Sequence, residues 1–174
     1  MSFVNMLTIE TQHPALAAAP GFAPQSRVWV YVANRPLTAE EAQFAQDHLD
    51  NFARQWVSHN VALKAAGEVF NRQIILLMVD ETHNSAGGCS IDKSTHFLEA
   101  LGQRLGIDLF DRMQFAWVQG DALHFGNRDT LTTQVAQRQI TDNTLMLNTM
   151  VQTKADLQDK WLLPFAQSWH RRLV

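Results

Sequence analysis

The run Ile74-Ile75-Leu76-Leu77-Met78-Val79 contains six apolar residues in succession. A strand with one face in water alternates apolar and polar residues, so a run of this kind predicts a strand covered on both faces. It is far too short to span a bilayer, which takes about 20 apolar residues. Arg27–Ala33 carries the same signature, with Val28, Val30 and Val32 on one face and Trp29, Tyr31 and Ala33 on the other. Two strands apolar on both faces require a layer of structure above and below them. The chain has 174 residues, 46% of them hydrophobic, which is enough to build both layers within one domain and excludes wholesale disorder.

The remaining elements follow from local patterns. Thr38 with Glu41 forms a capping box. From there Ala42, Ala45, Leu49, Phe52 and Trp56 step at helical spacing. Val61–Phe70 reads as a strand, and Phe70-Asn71-Arg72 as a hairpin turn into Gln73–Val79. Phe97, Leu98, Leu101 and Leu105 mark a second helix, ended by Gly106 at its C-cap. Met113–Val118 is an aromatic-rich strand. The order strand, helix, strand, strand, helix, strand predicts an α+β fold with a ferredoxin-like split βαβ core, an antiparallel sheet with helices on one face.

Residues 27–119 form that core in this reading, and 120–174 a C-terminal α/β extension of the same domain. The extension holds a helix over Asn127–Gln137, a strand over Thr144–Val151, and a short helix with Thr153 at its N-cap and Asp156 at N3. Residues 1–26 read as an extended arm, since 11–26 hold three of the five prolines and no periodic pattern. Met1–Glu10 has no Lys or Arg ahead of its apolar residues, unlike a secretory signal. The lone Cys89 cannot form an intrachain disulfide and suits a reducing compartment. Together these point to a cytoplasmic protein without a membrane span. Fourteen Lys+Arg against seventeen Asp+Glu make no basic field, so nucleic acid is not expected as a partner.

Site chemistry concentrates in the segment 80–96. Gly87-Gly88-Cys89-Ser90-Ile91-Asp92-Lys93-Ser94 follows the phosphate-loop pattern G-x-x-x-x-G-K-[ST], except that Asp92 replaces the second glycine. A phosphate loop works through converging glycine amides and a neutralising lysine. Asp92 puts a carboxylate where phosphate must approach, and the acidic pair Asp80-Glu81 precedes the loop instead of following it. Nucleotide hydrolysis is therefore disfavoured. A second reading makes Cys89 a reactive thiol near a helix N-terminus beginning about Ser90, assisted by Lys93, Asp92 and His96. Gly87, Gly88, Ser90, Lys93 and His83 are then the ligand-binding candidates, for a small molecule. A third reading is architectural: Gly87-Gly88 form a tight turn with positive φ, and Ser90, Asp92 or Ser94 caps the helix. The spacing of His83, Cys89 and His96 does not match a zinc site, so no metal is expected. The residues leave the cofactor unknown.

Several blocks carry a resemblance: Arg27-Val-Trp-Val-Tyr31, Asn34-Arg-Pro-Leu-Thr38, Phe52 to Trp56-x-x-His59, Val79-Asp-Glu81, Gly88-Cys-Ser-Ile-Asp92 with His96-Phe97, Leu109-Phe-Asp-Arg112, Thr153-Lys-Ala155 and Trp169-His170. From residue 27 to the C-terminus the chain resembles a small family of bacterial proteins often labelled "ABC transporter ATPase". The family has no established activity, so the resemblance assigns no catalytic role. Lys93 stands where the family pattern continues with serine. The function expected from the residues is a binding or interaction module, oligomeric through its second sheet face or its extension. An enzyme or ligand-binding protein centred on Cys89 is the alternative.

Overall fold

A computed structural model of the chain describes residues 13–174, so the reading of Met1–Glu10 lies outside the described residues. The described chain is α+β, with antiparallel sheets. Its first sheet holds β1 (Arg27–Val32), β4 (Lys64–Phe70) and β5 (Ile74–Asp80), in the order β1-β5-β4. The apolar run is central as its composition requires, and every residue of β5 is buried. Asn71 and Arg72 take positive φ (52° and 53°) in the hairpin that joins β4 to β5. Between β1 and β4 lie helix α1 (Ala39–Gln55) and a small hairpin of β2 (Val57–Ser58) and β3 (Val61–Ala62). The strand expected over Val61–Phe70 is thus divided, because the Leu63 N–H turns to the Trp56 carbonyl (2.9 Å).

The capping box at Thr38 and Glu41 is present in both directions. Helix α2 (Gly88–Leu105) ends at Gly106, whose φ of 66° is the left-handed conformation that favours glycine. Both helices cover the face of the sheet that carries Ile75, Leu77 and Val79. Here α1 lies so close over β4 that a Cβ on Gly67 would come within 3.2 Å of Leu49 Cβ.

The other face carries Val28, Val32, Leu76 and Met78, and a second sheet covers it. That sheet has the order β7-β6-β8-β9, from β6 (Phe115–Gln119), β7 (Ala122–Gly126), β8 (Leu145–Leu147) and β9 (Leu162–Pro164). The split βαβ expectation places Phe115–Gln119 beside β1 as a fourth strand. Only three of those strands share a sheet, and β6 lies across the sheet face instead. Its side chains explain the placement. Ala116 packs into the core between the two sheets, whereas Phe115 and Trp117 face outward to Leu131, Ile140 and Phe165.

Helix α3 (Arg128–Ala136), capped by Asn127, contributes Leu131 to that outer core. The strand expected over Thr144–Val151 stops at Leu147, because Asn148 turns the chain: its N–H bonds the Trp161 carbonyl and its side chain accepts from Met150 N–H. Helix α4 (Lys154–Asp159) starts at Thr153 as expected. Residues 13–26 run over this same layer, with Leu16 and Ala17 buried in the core between the sheets. The buried ammonium of Lys154 donates to the Ala19 and Phe22 carbonyls, which ties this segment to α4. The second sheet face that the apolar pattern requires to be covered is covered within one chain, in part by the 120–174 extension.

Candidate functional site

Helix α2 begins at Gly88 with Gly87 as N-cap, two residues before the expected start. Gly87 is extended (φ −85°, ψ 178°) and no side chain caps the helix, so neither a positive-φ turn nor a cap by Ser90, Asp92 or Ser94 is found. The Ser90 and Ser94 hydroxyls donate back to the Gly87 and Ile91 carbonyls, and both residues are buried. The Ser90 carbonyl accepts from Trp56 Nε1 at 2.8 Å, which fixes the first turn against α1. Cys89, Asp92, Lys93 and His96 share one exposed face of α2, opposite the stripe formed by Ser90, Ser94, Leu98 and Leu101. His83 is exposed on the loop before the helix.

The acidic pair ahead of this loop is engaged by the chain itself. Asp80 accepts from the Ala23 and Thr82 amides and the Thr82 hydroxyl, and lies 3.7 Å from Lys64 Nζ. These bonds, the Thr82 hydroxyl foremost, pull its pKa down to about 2. Glu81 accepts from the Ala86 amide. Among the described residues, no three His, Cys, Asp or Glu side chains gather as a metal-binding group.

A concave region is found elsewhere, along the outer edge of β1. Two adjoining cavities of about 340 and 490 Å³ share Val30, Tyr31, Arg112, Thr149 and Met150. The first is walled by Leu109–Gln114 and by Trp169. Its lining exposes apolar surface: Phe110 is 40% accessible, Met113 45% and Met150 60%. Tyr31 packs edge-on to Phe110 with centroids 5.6 Å apart. Burial raises the Tyr31 pKa, and the nearby charge of Arg112 opposes that rise. Arg27 lies over the Trp29 ring at 4.7 Å. Neither Arg27 nor Arg112 has an ion-pair partner among the described residues.

The backbone at this edge is only partly paired. The Val28 N–H donates to the Gln152 carbonyl (2.9 Å), and six residues on the Asn34 N–H donates to the Asp108 carbonyl (3.2 Å). The Val28 bond shows that the even-numbered residues of β1 direct their amides away from β5. Between these two bonds the N–H and C=O groups of Val30 and Val32 take no partner from a described residue. Residue pattern predicts the strand itself but not the groove beside it. The only local signal of the groove is Leu109-Phe-Asp-Arg112, one of the blocks that carry the resemblance. Comparison with protein-family profiles, curated proteins and solved structures finds no match. The resemblance to the transporter-ATPase-labelled family therefore rests on the sequence blocks alone.

Proposed function

We propose that the protein is a binding module whose ligand site is the groove along the open edge of β1. The observation that carries this reading is the coincidence, in one place, of exposed Phe110, Met113 and Met150 with strand backbone and an Arg112 guanidinium that have no partner among the described residues. Exposed apolar surface rimmed by polar groups commonly marks a binding site. The groups present favour an apolar ligand bearing an anion. A single unpaired cysteine suits the cytoplasm as the place of action.

Anilinonaphthalene sulfonate, an apolar and anionic dye, tests this directly. We expect the folded protein to bind it saturably with a rise in fluorescence. Met150→Asp, which removes apolar surface from a 60% exposed position and sets a carboxylate against the dye's sulfonate, is expected to weaken binding at least about tenfold with little change in melting temperature, since exposed substitutions cost little. Equal binding by the variant and the wild type would refute the site.

The exposure of Cys89 favours a second reading, a small-molecule enzyme or ligand-binding protein that uses this thiol. Free cysteines are more often buried and inert. Native Cys89 is expected to react with iodoacetamide about as fast as in the urea-unfolded chain, or faster. Protection in the native state would sink this reading.

A further inference from the structure

The groove's backbone specifies its ligand more closely than its volume does, provided that the groove is the binding site proposed above. The stretch of β1 between the Val28 and Asn34 amide bonds spans about 20 Å at ~3.3 Å per residue. At each end the protein's own chain has already closed the edge, through Gln152 and Asp108. A folded neighbour's sheet cannot slide along an edge closed at both ends, whereas a single extended segment of about five residues fits between the closures. The two donors and two acceptors of Val30 and Val32 are those that an added strand satisfies.

The two faces of such a strand meet different chemistry. Tyr31 lies on the helix-facing side of β1, under the charge of Arg112. Val30 and Val32 lie on the opposite side, toward the second sheet. Two carboxylates also line the groove, but Asp111 is held by Met113 N–H and Gln114 Nε2, and Glu81 by the Ala86 amide. Among the described residues no carboxylate pairs with Arg112, so its guanidinium suits a new carboxylate. We propose that the open stretch of β1 takes up an extended segment of a partner protein as an additional strand, with a side-chain carboxylate of that segment bound by Arg112. Alternation of acidic and apolar residues in the segment then matches the two faces of the groove.

The probe is a fluorescein-labelled, acetylated Val-Glu-Val-Glu-Val amide, compared with its Val/Lys counterpart on the full chain. The Val/Glu peptide should bind saturably and at least about tenfold more tightly than the Val/Lys peptide. At saturation, hydrogen exchange at the Val30 and Val32 amides should slow, and Arg112→Gln should remove the tenfold preference while leaving the fold intact. Binding without protection of Val30 and Val32 overturns strand addition. So does protection of both amides in the free protein, which would mean that the protein itself covers the edge. If neither peptide binds but anilinonaphthalene sulfonate does, and Met150→Asp weakens dye binding at least about tenfold, strand addition falls and the groove remains a binding site. If neither peptide nor dye binds, both readings fall.

Discussion

Trp56→Ala should lower the unfolding free energy by about 3–5 kcal/mol, the usual cost of emptying a buried tryptophan site. Trp56 is 2% exposed at the C-terminal end of α1. It meets Trp29 of β1 and Phe52 of α1 at centroid distances of 5.9 and 5.1 Å, and Phe52 in turn stacks on Phe97 of α2 at 4.4 Å. Its indole N–H donates to the Ser90 carbonyl, so truncation removes a buried hydrogen bond as well as opening a cavity. Domains of this size are stable by only about 5–15 kcal/mol, so the loss is a large fraction of the total. Urea unfolding checks it: the midpoint should fall sharply with an unchanged slope. Trp56→Phe, which keeps most of the ring volume, should cost much less. A shift of under about 1 kcal/mol for Trp56→Ala would show that the aromatic cluster does not join the helices to the sheet.

Acidification from pH 6.5 to 4 should remove about 3 kcal/mol of stability through His170 alone. This residue is 0% exposed, stacks on Trp169 with centroids 4.2 Å apart and stands edge-on to Phe115. Neither ring nitrogen has a hydrogen-bond partner among the described residues. Burial therefore disfavours the imidazolium and pushes the pKa down from 6.5 to about 4. The unfolded chain binds a proton at His170 below about pH 6.5 and the native state does not until about pH 4. Stability thus falls as pH drops through that window and levels off below it. His170→Phe keeps an aromatic ring in the site and removes the titration. Its stability should fall about 3 kcal/mol less over the same range, in paired urea titrations at pH 7 and pH 4. Parallel loss in both proteins would refute the assignment.

Trp169, the residue next to His170, walls the groove together with Leu109–Gln114, the segment that leads into β6. Local pattern identifies β6 as a strand but leaves open which strand it pairs with. Phe115–Gln119 has the length and apolar content of a fourth strand beside β1. Its outward Phe115 and Trp117, however, need the core built by Leu131, Ile140 and Phe165. Those partners sit in residues 120–174, so the pairing is settled by contacts distant in sequence. With β6 in the second sheet, no described strand pairs with Val30 and Val32 on the outer edge of β1.

The candidate segment 80–96 shows the converse. Its glycines, cysteine, histidines and lysine are conspicuous in sequence, yet the fold distributes them over the preceding loop, the helix start and an exposed helix face, and uses Asp80, Glu81, Ser90 and Ser94 to hold the loop and first turn. Residue type alone does not distinguish a carboxylate engaged by backbone amides from one available to a ligand.

What could be read from the chain was local or set by solvent. The capping box at Thr38, the left-handed Gly106, the Phe70–Gln73 turn and the two-faced burial of β5 each follow from a few neighbouring residues and their need to leave water. The second sheet, the closure of the first sheet's other face and the edge at Val30 and Val32 that no described residue pairs could not be read in this way. They depend on which surfaces complement one another across a hundred residues, and hydrophobic burial is non-directional: it says that a face must be covered, but not by what.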